Sequence, residues 1–258
     1  ASASVSVAVS QTVREFQLRN LPLTPEPRID VIANGVDTQV CDPAANVSSR
    51  TRLETLLQVP LVDSTVFVCL ARYDMQKNIP GLVASFMEAA RINKGVRHVV
   101  AGPIEDWLEF AHADALRRSH HAADRVHLLG ASASSELLNA ADGFVLDSFF
   151  EGWPVAVSEA VMSGIPVIVS GAGGATELVG GQSERGRVVP NPAGVSAEAI
   201  DIGAIQRARR RAQGQSNMSE LAAAFLDVSD RIEFWRDRRV SLAADAAQWL
   251  TATVMVKA

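Results

Sequence analysis

The sequence has few cysteines and no long apolar run. Cys41 and Cys69 are its two cysteines, and they lie in dissimilar contexts. A disulfide framework is therefore not expected, and a reduced, cytoplasmic compartment is favoured. Because no apolar stretch approaches the ~20 residues that a membrane-spanning helix needs, any membrane contact is expected to be peripheral, at the inner face. Residues 1–10 also lack the basic lead of a signal peptide.

Positive charge is scarce as well. The formal net charge is −5, which argues against a protein that works by neutralising nucleic-acid phosphates. The exception is a basic cluster formed by Arg207, Arg209, Arg210 and Arg211. We interpret it as a solvated helix face, with a membrane or partner patch as the alternative. A hydrophobic fraction of 48% excludes a disordered chain.

Motifs for metal binding and for covalent catalysis are missing too. The five histidines show no metal-ligand spacing, and no Asp-x-Asp pair offers a site for a divalent cation. No Gly-x-Ser-x-Gly sequence marks a nucleophile elbow. We therefore expect neither a metal nor another cofactor.

What the sequence does contain is a regular alternation of strand-like and helix-like segments. Apolar runs predict strands at 65–71, 97–101, 125–129, 143–146 and 165–169. Helical spacing predicts helices at 78–92, 104–119, 134–140 and 154–162, with Ser132 or Ser134 as the N-cap of the third. This alternation predicts an α/β fold with a doubly wound parallel sheet.

The ends of the chain differ from this central part. We divide the chain into residues 1–28, a strand, a helix and a Pro-rich connector from a preceding domain, residues 29–195, a Rossmann-like domain, and residues 196–258, additional helices. A solitary strand cannot satisfy its own backbone groups, which is why the first segment is read as a remnant. The last helix carries Trp235, Leu242 and Trp249, so it must pack on something, and we expect it to pack back toward that preceding domain.

Charged residues, serine, glycines and a proline follow the predicted strands at one edge of the sheet, where ligands of such folds bind. They are Arg72, Gly102-Pro103, Gly130, Ser148 to Glu151 and Gly171-Ala-Gly-Gly. The glycine-rich segment departs from Gly-x-Gly-x-x-Gly and follows a late strand, so a tight turn explains it as well as a phosphate cradle does.

Two glutamates stand out in this set. Glu159 lies in a helix whose other side chains are almost all apolar, and burying an unpartnered carboxylate is costly, so it is expected to hold a ligand. Glu151 lies in the loop before the same helix, whose amino end favours an anion. The pattern suits a ligand with hydroxyl pairs and phosphates, such as a nucleotide-sugar. The alternatives are a buried acid bonded to backbone for Glu159 and a solvent-facing residue for Glu151.

Arg72 and Lys77 lie in the loop after the first strand of the main domain. Two such cations could hold a diphosphate and stabilise it as a leaving group. The alternative is a surface loop in which Asp74 balances both cations.

Together these stretches resemble the carboxyl-terminal donor-binding domain of GT-B fold, GT4-type retaining glycosyltransferases. The resemblance is carried by Val31-Ile-Ala-Asn-Gly-Val-Asp, Cys69-Leu-Ala-Arg-Tyr-Asp-Met-Gln-Lys-Asn, Phe150-Glu-Gly-Trp-Pro and Gly173-Gly-Ala-Thr-Glu-Leu-Val. The family has two glutamates with seven residues between them, the spacing of Glu151 and Glu159. One departure is Asp147, where relatives often carry proline, and we expect it to leave the chemistry unchanged.

The resemblance implies metal-independent transfer from a nucleotide-diphosphate sugar with retention at the anomeric carbon. It implies Glu151 as the catalytic-site glutamate, which with Gly152, Trp153 and Pro154 holds the donor sugar. Arg72 and Lys77 would bind the diphosphate and Glu159 the ribose. The base would lie near Leu129, Gly130 and Ser132. An acceptor-binding domain is expected ahead of residue 1, so the chain would bind donor without completing transfer.

Three other functions are compatible with parts of this pattern. A non-catalytic nucleotide-sugar sensor would share every donor-site residue. A nucleotide-sugar epimerase could use the same scaffold, although the cations and the glutamate pair fit a transferase better. A NAD-dependent oxidoreductase would need its glycine-rich fingerprint after the first strand, where this chain has Arg72-Tyr-Asp-Met-Gln-Lys.

Overall fold

The computed structural model describes residues 6–20, 28–37, 45–180, 184–210 and 215–251. Cys41, Arg211 and most of the Pro-rich connector lie outside these ranges. The strands are β1 Ser6–Ala8, β2 Ile29–Val31, β3 Thr65–Leu70, β4 Val96–Ala101, β5 Val126–Leu129, β6 Gly143–Leu146, β7 Val167–Ser170 and β8 Gly186–Val189. The helices are α1 Gln11–Asn20, α2 Asn46–Leu57, α3 Ile79–Ile92, α4 Trp107–Arg118, α5 Ser134–Ala140, α6 Val155–Met162, α7 Ala175–Val179, α8 Ile202–Arg210, α9 Met218–Asp230 and α10 Ile232–Leu250.

Strands β3 to β8 form one parallel sheet in the order β5-β4-β3-β6-β7-β8. Counted from β3 this order is 3-2-1-4-5-6, that of a doubly wound sheet, so the predicted fold class is confirmed. The apolar runs form buried strands because helices cover both faces of such a sheet. Strands β3 and β6 are neighbours at the point where the strand order reverses, and this is where ligands bind in these folds.

The predicted elements agree with the structure to within a few residues, and two local predictions are wrong. Pro154 is the N-cap of α6 and not its first helical residue, because its ψ of 102° is extended. The N-cap of α5 is Ala133, so neither Ser132 nor Ser134 caps that helix with its side chain. Helix α4 begins at Trp107, later than expected, because the Asp106 carboxylate accepts from the Leu108 amide and caps it there.

The first strand has a partner close to it in the chain. Strand β1 pairs in parallel with β2 in a two-stranded sheet separate from the main one. Helix α1 lies against the main domain, where the Thr12 hydroxyl donates to the Gly173 carbonyl at 3.4 Å. Strand β1 is therefore not solitary: the Ser6 amide donates to the Arg28 carbonyl at 3.0 Å, and the Ala8 carbonyl accepts from the Ile32 amide at 2.9 Å. Its origin in a preceding domain stays a prediction.

The carboxyl-terminal helix packs on the main domain. Trp235, Leu242 and Leu250 are buried, as the sequence required. Arg239 of α10 donates to the carbonyl of Ser163 at 3.1 Å, just after α6. A Cβ at Gly164 would lie 2.0 Å from the Arg239 carbonyl oxygen, so the two backbones touch. The expected contact of this helix with a preceding domain stays a prediction. Within the described ranges, no helix is long and apolar enough to cross a bilayer.

Candidate functional site

The loops after β3 and β6 meet at the carboxyl edge of the sheet, and they bring Lys77 and Glu151 into contact. The lysine Nζ lies 2.6 Å from Glu151 Oε1, and the two side chains are only 15% and 6% exposed. A buried pair of this kind is held tightly because either partner alone would be a poorly solvated charge. Lys77, which follows the first strand of the main sheet, and Glu151, which precedes α6, are therefore neighbours.

This ion pair is one of four polar contacts between the two loops, which together we call the clasp. The contacts are Phe149 N to Gln76 O at 2.9 Å, Gln76 Nε2 to Phe150 O at 2.8 Å, Lys77 Nζ to Glu151 Oε1 at 2.6 Å and Asn78 Nδ2 to Asp147 Oδ2 at 2.9 Å. These contacts run from the partly exposed Gln76 to the fully buried Asp147. The clasp fixes the position of Lys77 across the reversal point of the strand order.

Arg72 lies at the same edge but in a different setting. Its side chain is 45% exposed and pairs with Glu105 at 2.6 Å and with Asp74 at 3.1 Å. The Asp74 carboxylate also accepts from the Lys77 amide and so caps the short 3-10 turn Met75–Lys77. Asp74 therefore balances Arg72, as the surface-loop alternative required, whereas the Lys77 ammonium pairs with Glu151.

The glycine-rich segment packs directly on the backbone around Glu151. Gly173 has a φ of +53°, and a Cβ there would lie 1.9 Å from the Glu151 carbonyl oxygen. The Gly174 amide donates to the Gly152 carbonyl at 3.0 Å, and a Cβ at Gly174 would lie 2.6 Å from the Trp153 ring. The tight-turn interpretation of this segment is confirmed: its glycines permit close backbone approach.

Helix α6 begins directly after this loop. Most of its residues are buried, as expected, but Glu159 itself is only half-buried. Burial still raises the pKa of the Glu159 carboxyl above its ordinary value. The Pro154 carbonyl accepts from the amides of Val157 and Ser158, and the first turn has no side-chain cap from the described residues. Glu151 and Glu159 are thus placed just before and within one short helix.

The predicted base-binding segment begins at Leu129, the last residue of β5, includes Gly130 and Ser132, and joins the same edge. Tyr73 is fully buried, and its hydroxyl lies 2.9 Å from the Leu129 carbonyl oxygen. The Gly130 carbonyl accepts from the Gly102 amide and from the Ser132 hydroxyl, each at 3.1 Å. These bonds fasten the ends of β3, β4 and β5 to one another. Ser132 itself is exposed.

An apolar cavity of about 370 Å³ borders Glu151. Its walls come from α1, α8 and the loop before α6, and include Phe16, Phe149, Phe150 and Ile205. Phe16 and Phe150 are nearly half exposed, so the cavity opens to the surface. Glu151 therefore has a charged partner in Lys77 and apolar space beside it.

Asp147, which the sequence marks as a departure from the family's pattern, is the most unusual group of the site, and sequence reasoning missed its burial and its partners. Its carboxylate is completely buried and accepts from Asn78 Nδ2 at 2.9 Å, Gln215 Nε2 at 2.9 Å and Asn217 Nδ2 at 2.8 Å. Burial raises the pKa of Asp147 to about 7, although the three hydrogen bonds oppose the shift. The available signal was an aspartate directly after an apolar strand.

The histidines are not placed for metal binding. His98 is buried among aromatic rings, and burial lowers its pKa to about 3, so it is neutral. In the part of the chain that the structure describes, no group of three His, Cys, Asp or Glu side chains could hold a metal ion. Metal independence stays a prediction.

Comparison with known proteins identifies the fold's relatives. The chain is 29% identical to the alpha-maltose-1-phosphate synthase of Mycolicibacterium smegmatis over 187 residues, covering 69% of this chain and 46% of that protein. It is 32% identical over 175 residues to a UDP-Gal:alpha-D-GlcNAc-diphosphoundecaprenol alpha-1,3-galactosyltransferase of Escherichia coli, covering 64% of this chain and 42% of that one. The chain therefore spans less than half the length of these relatives.

Solved structures share the fold at lower identity. The pneumococcal O-GlcNAc transferase GtfA, solved with UDP and GlcNAc, superposes with a TM-score of 0.66 at 18% identity, covering 99% of this chain and 44% of GtfA. Anabaena HepE, solved with UDP and glucose, gives 0.61 at 21% identity, covering 96% and 63%. Residues 58–217 match the family described as glycosyl transferases group 1, and they include the clasp and the Glu151–Glu159 segment. The chain belongs to the glycosyl transferases group 1 family, with a GT-B type Rossmann-like domain.

Proposed function

We propose that this chain is the donor-binding half of a retaining glycosyltransferase that uses a nucleotide-diphosphate sugar without a metal ion. The observation that carries the proposal is the contact between Lys77 and Glu151 at the reversal point of the strand order. A cation and a carboxylate held side by side there can address the two ends of one bond, the diphosphate that leaves and the sugar that is transferred.

The chemistry of each group fits this division. Lys77 and Arg72 would stabilise the negative charge that develops on the leaving diphosphate, Lys77 as a buried point charge and Arg72 as an exposed planar fork. Glu151 and the backbone from Gly152 to Pro154 would position the sugar. Glu159, half-buried with a raised pKa, would accept hydrogen bonds from the ribose hydroxyls.

The relatives support a nucleotide-sugar as substrate. One curated relative is named for transfer from UDP-Gal, and two solved structures contain UDP together with a sugar. These names differ in sugar and acceptor, so they support the substrate class and leave the base and the sugar open. A NAD-dependent dehydrogenase has no support from the family.

Transfer itself would require more than this chain. A GT-B active site is a cleft between two domains, and positioning of both substrates provides much of the rate. Since the chain spans less than half of the curated relatives described above, we propose that it binds donor and that a second domain supplies the acceptor site.

Calorimetry with UDP-, GDP- and ADP-sugars tests donor binding directly. We expect one of them to bind, and Glu159→Ala to weaken that binding by about tenfold, the loss of one charge-assisted hydrogen bond set. Glu88→Ala, on helix α3 and partly exposed in its pair with Arg91, is the matched control and should bind as the wild type does. No binding of any donor, or equal binding by the Glu159 and Glu88 variants, would contradict the proposal.

Metal independence and stereochemistry need separate measurements. Donor binding should be unchanged when a chelator is added. Proton NMR of the product formed by the chain together with its acceptor domain should show the anomeric configuration of the donor. Loss of donor binding with the chelator, or an inverted product, would remove that part of the proposal.

A further inference from the structure

Asp147 joins three separate parts of the chain at the buried end of the clasp. It follows β6 and accepts one hydrogen bond from Asn78, which precedes α3, and one each from Gln215 and Asn217, which precede α9. Asn78 Nδ2 also donates to Gln215 Oε1 at 2.9 Å, and Gln215 Nε2 also lies 3.2 Å from the Ser85 hydroxyl. The five side chains bonded in this way form a polar cluster inside the domain.

This cluster bears directly on Lys77. Asn78 is the next residue in the chain, and its φ of 51° places it in the left-handed region at the start of α3. Its side-chain hydrogen bond to Asp147 therefore holds the end of the turn that contains Lys77. On the opposite side, Asn217 Nδ2 also donates to the Pro190 carbonyl at 2.8 Å, so the cluster reaches the loop after β8.

The groups that face Asp147 are built for a carboxylate. All three polar partners are amide donors, so an ionised Asp147 satisfies each of them and a protonated one brings a donor against donors. Asn217 is the amide that can relieve this conflict, because its Oδ1 is buried without a partner among the described residues. To accept the proton it must rotate and release Pro190. The titratable group that interacts with Asp147 is Cys69 on β3, which also interacts with Lys77 and Glu151. The segment before α9 contributes the neutral amides of Gln215 and Asn217.

We propose that Asp147 is a positioning residue for Lys77: in its ionised form it holds Asn78, and with it the lysine-bearing turn, in the place where the donor diphosphate binds. The inference rests on the proposed function. It adds a residue that does not touch the donor, and it makes the segment Gln215–Asn217 part of the site's support. It also replaces the expectation that Asp147 leaves the chemistry unchanged.

Two physical effects of Asp147 on donor affinity have opposite signs. As a positioning group its ionisation tightens binding, because only the population with the turn in place is competent. As a mere negative charge near a diphosphate it weakens binding on ionisation. The direction of the pH dependence therefore distinguishes positioning from simple repulsion.

The test is calorimetry of the wild-type chain with the nucleotide-sugar that binds it best, between pH 6 and pH 8. Because burial raises the pKa of Asp147 to about 7, the ionised fraction rises from roughly one tenth to nine tenths over this range, and affinity should rise up to about tenfold. Asp147→Asn should bind weakly at both pH values and lose most of this dependence.

Asn78→Gly provides a second variant in case Asp147→Asn does not fold. Glycine adopts the left-handed conformation readily, so this change removes the side-chain contact with Asp147 and leaves the turn possible. Its matched control is Gln58→Gly, at an exposed left-handed position that ends α2. The Asn78 variant should lose the pH dependence and the Gln58 variant should keep it.

The possible results distinguish the proposed function from the positioning role of Asp147. A wild-type chain that binds no donor overturns the proposed function. A wild-type chain that binds donor more weakly as the pH rises, or folded Asp147→Asn and Asn78→Gly variants that keep the wild-type pH dependence, overturns the positioning role and leaves the proposed function standing. Thermal unfolding of each variant establishes that it is folded.

Discussion

Two buried aspartates flank strand β6, and the protein satisfies their carboxylates in different ways. Asp142, just before β6, pairs with Arg50 at 2.9 Å and with Arg236 at 2.9 Å, and it accepts from the Val66 amide at 2.8 Å. Asp147, just after β6, accepts from three neutral amides and has no cation within salt-bridge distance among the described residues. The first carboxylate is paired with two cations, whereas the second has only neutral hydrogen-bond donors.

The difference follows the two edges of the sheet. At the amino edge, where Asp142 lies, charges are paired among themselves, and the group has only to hold α2, β3 and α10 together. At the carboxyl edge, where Asp147 lies, an ion pair to Lys77 would compete with the lysine's other contacts. Neutral donors satisfy the carboxylate and leave the cation to Glu151. An aspartate at the amino edge thus holds secondary-structure elements together, whereas the one at the carboxyl edge leaves Lys77 free to pair with Glu151.

The amino-edge aspartate should show the largest effect on stability. Asp142→Ala would leave Arg50, whose side chain is only 16% exposed, without its carboxylate partner, and breaking a buried ion pair costs roughly 3–5 kcal/mol. Urea unfolding measures the change. Donor affinity, determined on the variant below its melting temperature, should stay within a factor of two. A stability loss below about 1 kcal/mol would show that the pair behaves as a surface bridge.

A pair of glycines sharpens the comparison between the two edges. Gly164 and Gly173 both have positive φ, of +67° and +53°, and a Cβ on either would lie about 2 Å from a carbonyl oxygen, that of Arg239 or of Glu151. Alanine at either position should cost about 1–3 kcal/mol. Gly164→Ala should lower the melting temperature and leave donor affinity unchanged, whereas Gly173→Ala should displace the Glu151 backbone and weaken donor binding as well. Equal donor affinity in the two variants would contradict this division.

The sequence was sufficient for the sheet because its strands are buried on both faces. The run Thr65–Leu70 is apolar at nearly every position, which is the pattern of a strand covered on both faces, and its alternation with helical segments indicates a parallel sheet. Strand β8, Gly186–Val189, escaped prediction because it lies at the edge of the sheet and two of its four residues face away from the core. Helix α2 escaped because its apolar residues have no clear helical period.

The parts of the candidate site that directly follow strands could be predicted from the sequence. The parts formed by contacts between distant segments could not. Lys77 and Glu151 were found because each follows a strand, and parallel strands end at one edge. Their direct contact, and the half-buried state of Glu159, needed coordinates. The Asp147 cluster could not be seen in the sequence, because its amide donors lie 68 to 70 positions away along the chain. An aspartate after a strand is common, and only its partners make it unusual.

Asp147, at the carboxyl edge, should make the free energy of unfolding depend on pH, and this dependence identifies it better than a stability change at one pH. Burial raises the pKa of Asp147 to about 7 from an ordinary value of 3.8, so the folded chain keeps this proton at pH values where the unfolded chain has released it. Its contribution to the free energy of unfolding is therefore complete below about pH 4 and declines as the pH rises to about 7, by up to about 1.4 kcal/mol per pH unit.

Urea unfolding of the wild type and of Asp147→Asn at pH 5, 6, 7 and 8 measures this decline. The free energy of unfolding of the wild type, relative to the variant, should fall between pH 5 and pH 7 and become level near pH 8. Parallel curves would mean that the three amides hold Asp147 ionised throughout. In that case hydrogen bonding would fully offset the effect of burial on the pKa of Asp147. Three neutral amides would then hold a buried carboxylate as effectively as the two arginines hold Asp142 at the other end of the strand.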